Sequence, residues 1–331
     1  MKKFPFEDFT LIMTRDCNLS CEYCPLDHFK WNIENNILDI FFDKIFTYSN
    51  HKLYITLFWW EPLLNREWIK YIYKILSENK NKLIKNNILI TLKIVSNWTL
   101  LDKKYIELLI NINSISFVNL VINISIDWDK KTQLKQRNYK KGFVDYYDKL
   151  IENIHLLIKN DLNLELWMVM SFFNNDIFNN IVYLIKEFKI PVFIMPVDLT
   201  LKYIKNDINI KKNIRKYLIN IWKTLKLLEK NNLTKYIVNY NNEYRDIKIP
   251  PIWPTIDIKW DIYATRDFLF TMDKNIIFET IWNIKKNDLV WYFLKNDLKN
   301  IEQETLKQYY WRTFFINKKV WDYFTKLVYK K

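Results

Sequence analysis

All three cysteines of the chain fall in one stretch, TRDCNLSCEYCPL, as Cys17, Cys21 and Cys24. This CxxxCxxC spacing lets a short loop wrap its thiolates around one metal centre. Their neighbours Arg15, Asp16, Asn18, Ser20 and Glu22 are loop residues, unlike the apolar surroundings of structural thiols buried on a core helix. Three thiolates leave one coordination position open. A closed structural zinc site takes four ligands, and His28 could be the fourth. A [4Fe–4S] cluster held by three cysteines keeps its last iron free for a substrate or cofactor. An odd, clustered set of cysteines is not a secreted disulfide framework; it fits a reducing cytoplasm.

A second stretch raises a different question. LYITLFWWEPLL, residues 53–64, reads as a buried strand running into a loop that carries Trp59 and Trp60 before Glu61 and Pro62. Glycine is the residue expected where backbone must approach a ligand at a strand end. The chain has Gly 1 and Trp 14 in 331 residues, where average usage would give roughly 23 glycines. Trp98 follows Asn97, Trp128 follows Asp127, and Trp260 sits between two alternating β-runs. Each is a turn position that Gly suits and Trp does not. One expectation removes every misfit: Trp59, Trp60, Trp98, Trp128, Trp260 and Trp282 are glycine in the living protein, their codons UGA read as glycine. The heavy Lys, Asn and Ile usage fits an AT-rich genome. Trp68, Trp167 and Trp222 lie at plausible helix or strand positions and stay open.

The elements that must position these residues alternate. Strand-like runs fall at 8–13, 53–58, 89–95, 120–126, 163–170 and 191–197, with amphipathic helical stretches near 33–48, 66–81, 102–111, 143–159 and 177–188. Such alternation implies parallel strands with helical crossovers. Periodicity alone does not choose between an open doubly wound sheet and a partial barrel, but either puts the chemistry at C-terminal strand ends. The pattern changes after about residue 199: 202–232 reads as helix, 242–254 as a connector, 255–265 as a short hairpin and 300–328 as aromatic-rich helix.

Lys+Arg 51 against Asp+Glu 37 gives a net charge of +14. A basic balance can signal nucleic-acid contact, but here it is dispersed, and AT-rich coding inflates lysine. The N-terminus has no apolar core of a signal peptide, and no 18-residue apolar run predicts a membrane span.

CNLSCEYC resembles the cysteine loop of the radical S-adenosylmethionine (SAM) enzymes, with Tyr23 as the aromatic residue before the last cysteine. WWEP stands where that family carries a glycine pair followed by Glu-Pro. SNWTLL and SIDWDK, with glycine restored, resemble the ends of its third and fourth strands. The resemblance implies an α/β fold, a partial (β/α)6 TIM-like barrel over residues 1–200 with a smaller C-terminal α+β region over 201–331. It implies one [4Fe–4S] cluster on Cys17, Cys21 and Cys24, and SAM held near Tyr23, Trp59, Trp60, Glu61, Pro62, Ser96, Asn97 and Ser125. Arg137, in KTQLKQRNYKKG, resembles the arginine that pairs with the SAM carboxylate in the peptide-modifying branch, although Gln133 stands where that branch often has histidine. Asp127 reads as a turn cap and no more.

PTIDIKWDIYATRDF and IWNI resemble the hairpin and Gly-Asn-Ile segment of the auxiliary domain called SPASM, or its shorter twitch form. No cysteine follows Cys24 to hold an auxiliary cluster. The implied activity is reductive cleavage of SAM to a 5′-deoxyadenosyl radical that abstracts hydrogen from a peptide or protein, fed by an external electron donor such as flavodoxin or ferredoxin. RNA or a small metabolite is the alternative substrate, and nucleic acid is not excluded as a partner. A literal WWEP would instead imply a non-catalytic binding protein. Asp267 and Glu279 lie where a substrate base would be sought, but neither stands out from solvated charge.

Overall fold

The computed structural model describes residues 8–24, 30, 32–48, 51–58, 61–127, 129–142, 144–171, 176–196, 219–220 and 223–237, with the short segments 255–256, 261–263 and 282–283. Its centre is a parallel sheet of six strands. These are β1 (Asp8–Ile12), β3 (Lys52–Phe58), β4 (Leu89–Ser96), β5 (Val118–Ser125), β7 (Leu164–Met170) and β8 (Val192–Pro196), adjacent in that order. The crossovers run through α1 (Asn35–Tyr48), the pair α2 (Glu67–Glu78) and α3 (Lys80–Lys85), α4 (Lys103–Asn113), α5 (Lys130–Gln136) with α6 (Tyr147–Lys159), and α7 (Ile177–Phe188). This is the partial (β/α) barrel that the alternation allowed.

Strand period and helix period meet in one core. In β3, Leu53, Ile55 and Leu57 alternate inward at near-zero exposure. In α1, Ile37, Leu38, Phe41, Phe42, Ile45 and Phe46 recur at helical spacing, and Phe41 meets Phe9 of β1 edge-on with ring centroids 5.6 Å apart. The other sheet face is mixed. There Lys93 Nζ stands 3.2 Å from the Glu165 carboxylate, and the Asn123 amide donates to the same oxygen at 2.7 Å.

The expected strands are found within about two residues, and three differences matter. The helix expected at 66–81 is two helices, because Asn79 ends α2 and begins α3. The helix expected from 143 starts at Tyr147. Two three-residue strands, β2 (Leu19–Cys21) and β6 (Arg137–Tyr139), form a separate antiparallel pair. Such short pieces carry no periodicity, so the sequence does not announce them.

Of the C-terminal region, β9 (Thr255–Ile256) lies parallel to β1 with Thr10 opposite Thr255. The strand β10 (Asp261–Tyr263) runs antiparallel to β9 and to β11 (Trp282–Asn283). The antiparallel pair falls where a hairpin was expected; its turn, with Trp260, lies outside the described residues. Within the helix expected at 202–232, residues 223–230 are helical, while the connector at 242–254 and the helix at 300–328 lie outside the described residues. Among the described residues no helix is long and apolar enough to cross a membrane.

Candidate functional site

The loop that leaves β1 carries the cysteines and is tied down on both sides. Its β2 segment pairs with β6, placing Cys21 opposite Arg137. Glu22 N–H donates to the Gln136 carbonyl at 2.9 Å, and Lys140 N–H to that of Asn18 at 2.9 Å. Within the loop, Cys24 N–H donates to the Cys21 carbonyl at 3.0 Å and Leu19 N–H to Cys17 Sγ at 3.4 Å. All three thiols are half-buried. Burial pushes the Cys17 thiol far above the usual range, helped by the nearby Glu61 and Cys21 charges. Burial pushes Cys21 up to about 12, against the opposing pull of the Arg137 guanidinium.

Thiolates this close together would repel one another, so the loop suits a group that brings its own positive charge and deprotonates them. Among the described residues, no group of three His, Cys, Asp or Glu side chains is placed to hold a single metal ion. One ion would draw its sulfurs to about 2.3 Å from a common point, whereas an iron–sulfur cluster takes one thiolate per iron and keeps them apart. Three thiolates match the donor set of a cluster that keeps one iron open. His28 lies outside the described residues.

A second network closes over the ends of β3 and β4. Glu61 is fully buried. Its carboxylate accepts from Leu63 N–H at 2.8 Å, Ser96 Oγ at 2.7 Å and Asn97 N–H at 2.9 Å. Burial lifts its carboxyl to about 7, although all three donors pull the other way. Glu61 N–H in turn donates to the Asp16 carbonyl at 2.9 Å, beside Cys17. The Asn97 amide donates to Asn18 Oδ1 at 2.9 Å. Pro62 opens the 3₁₀ turn Pro62–Leu64, and its carbonyl accepts from Trp68 Nε1 at 2.6 Å. Ser125 ends β5, half-buried, opposite Trp167. Trp59, Trp60 and Trp128 lie outside the described residues, as do Asp267 and Glu279.

Two expectations change here. Asp127 is no turn cap: it is completely buried and its carboxylate is the hub of a third network. It accepts Nε and Nη2 of Arg137 at 2.7 and 2.8 Å, the Val169 N–H at 3.1 Å and the Tyr23 hydroxyl. Arg137 is likewise buried, with its guanidinium 5.4 Å from the Tyr23 ring centroid. Gln133, read only as a departure from histidine, accepts the Asp127 N–H on its side-chain oxygen at 2.7 Å. The one available signal was that Asp127, Gln133 and Arg137 lie within eleven positions of one another.

A parallel barrel sheet with a cysteine loop on its first strand and buried carboxylate networks at the next strand ends describes an enzyme class: one that assembles a cofactor where its strands finish. The superfamily follows from the sequence itself. The radical SAM superfamily model matches residues 11–189, and the chain belongs to that superfamily. It is a radical SAM enzyme that uses SAM and an iron–sulfur cluster. By sequence, no curated protein matches the chain. Among solved structures, native anSMEcpe with bound AdoMet and the Cp18Cys peptide is similar at a TM-score of 0.69 and 16% identity, over 96% of this chain and 95% of that one. Streptococcus suis SuiB bound to precursor peptide SuiA is similar at 0.57 and 16% identity, over 88% of this chain and 65% of that one. At these identities the likeness is one of fold.

Proposed function

We propose that the chain is a peptide- or protein-modifying radical SAM enzyme whose cluster is held by Cys17, Cys21 and Cys24. The observation that carries the reading is fold likeness over nearly the whole chain to a peptide-bound radical SAM structure. When bound, the reduced cluster and SAM supply a 5′-deoxyadenosyl radical able to abstract hydrogen from an unactivated carbon. The chain's own residues hold and orient. Glu61, Ser96 and Asn97 fix the strand ends against the cysteine loop. Ser125 stands at the next strand end. Arg137 carries the fork that suits a carboxylate.

Positions 59, 60, 98, 128, 260 and 282 are glycine in the native protein, which leaves backbone room for SAM at 59 and 60. The backbone at Trp98 supports this, since its φ is +55°, a conformation costly to any residue with a Cβ. The electron donor is an external flavodoxin or ferredoxin, and the compartment a reducing cytoplasm.

The test uses the anaerobically reconstituted protein with SAM and dithionite. A pool of unstructured peptides should raise 5′-deoxyadenosine release, and total RNA should not. Stimulation by RNA alone would overturn the peptide reading in favour of nucleic acid.

A further inference from the structure

We propose that Asp127 is a positioning residue that clamps the cysteine loop and the carboxylate-binding arginine to one point at the end of β5. The proposal rests on the cofactor site described above. Its basis is the way the four donors of Asp127 are distributed. They come from three elements: Tyr23 from the cysteine loop between Cys21 and Cys24, Arg137 from β6 and Val169 N–H from β7. Four donors fill the lone-pair sites of a carboxylate. Asp127 therefore has no capacity left to take a proton from a substrate or to bind a metal, and its role is geometric.

The bond to Arg137 is side-on. It uses Nε and Nη2, so the Nη1 edge makes no hydrogen bond among the described residues. A guanidinium held along one edge presents the other at a fixed angle, which is what bidentate recognition of a carboxylate needs. Gln133 accepts the Asp127 backbone N–H at 2.7 Å, which fixes the main chain from which the hub side chain springs. One buried side chain thus sets two distances at once, that of the Cys21–Cys24 loop from the sheet and that of Arg137 from the strand ends.

The first measurement is made on protein without cluster or SAM. Asp127→Asn removes the charge that Tyr23 and Arg137 share, so the loop should open more often. Cys21 and Cys24 should react with iodoacetamide about tenfold faster than in wild type, the factor that about 1.4 kcal/mol represents, with far-UV circular dichroism unchanged. Tyr23→Phe unties the loop alone and should accelerate alkylation similarly. After reconstitution, it should lose less SAM affinity than Asp127→Asn. Alkylation at the wild-type rate in both variants overturns the clamp. Equal SAM affinity in Asp127→Asn and wild type overturns the arginine half. If Asp127→Asn does not fold, Tyr23→Phe decides by the same alkylation rate. Failure of wild type to bind SAM would count against the cofactor reading, while alkylation would still judge the loop.

Discussion

At the scale of single residues, the site works by burying charge and then surrounding it with donors. Glu61 shows the balance: burial alone would expel a carboxylate, yet three hydrogen bonds and a fixed strand end keep it in place. Cys17 and Cys21 show the opposite case, thiols whose desolvation outweighs what stabilises their thiolates. Replacing Cys17, Cys21 or Cys24 by Ala should therefore drop iron uptake from about four per chain towards zero, measured by metal analysis after anaerobic reconstitution. Zinc taken up in place of iron would contradict the assignment. Trp98 sets two magnitudes against each other. Its left-handed backbone costs about 1–2 kcal/mol, but its indole is fully buried and donates to the Asn123 carbonyl at 2.8 Å. Removing a buried Trp costs about 3–5 kcal/mol. If tryptophan belongs there, Trp98→Gly lowers stability by roughly 1–4 kcal/mol on these figures. If glycine is native, as proposed, the substitution is neutral or stabilising. Urea melts of the two forms separate the cases, and mass spectrometry of the native protein reads residues 59, 60 and 98 directly.

At the scale of elements, the large periodic pieces were legible and the small ones were not. Six strands and their crossovers announce themselves because each repeats its period over five or more residues. The pair β2 and β6 is three residues long on each side, too short for any period, yet it is what seats Cys21 against Arg137. The motifs singled out Glu61, Ser96, Asn97 and the cysteines as candidates, and the structure joins Glu61, Ser96 and Asn97 in one hydrogen-bonded network. The motifs missed Asp127 as a hub because an Asp in a turn sequence has an adequate local use as a cap, and only the return of β6 reveals the other. The short helix α5 serves this geometry: Asp129 caps it by accepting the Thr132 N–H at 3.0 Å, and its buried Gln133 points back at the strand end. Gln133→Ala should leave the Asp127 N–H unsatisfied and cost about 1–3 kcal/mol, read as a lower urea midpoint. Gln133→Glu keeps the acceptor but buries a charge beside Asp127 and should cost more. Equal stability of the alanine variant would show that water replaces the amide.

At the scale of the whole molecule, the six strands deliver three networks to one end of the sheet. Ligand binding there should stabilise the entire fold by linkage. SAM at about a hundred times its dissociation constant should add about 2.7 kcal/mol to the reconstituted protein. This is visible as a higher thermal midpoint that depends on SAM concentration. A midpoint indifferent to SAM would mean that the ligand does not engage the folded barrel.

The pairing of β9 with β1 has a further consequence, in time. Thr10 and Thr255 are partners across 245 positions of chain. At about 5–20 residues per second of synthesis, roughly 12–50 s separate the emergence of one from the other. Throughout that interval the first strand, with the cysteine loop at its tip, is an unpaired sheet edge open to other chains. The cysteine loop leaves the ribosome early and its strand gains its last neighbour late, so the nascent protein passes through a stage in which its thiols are made and their strand is still unguarded.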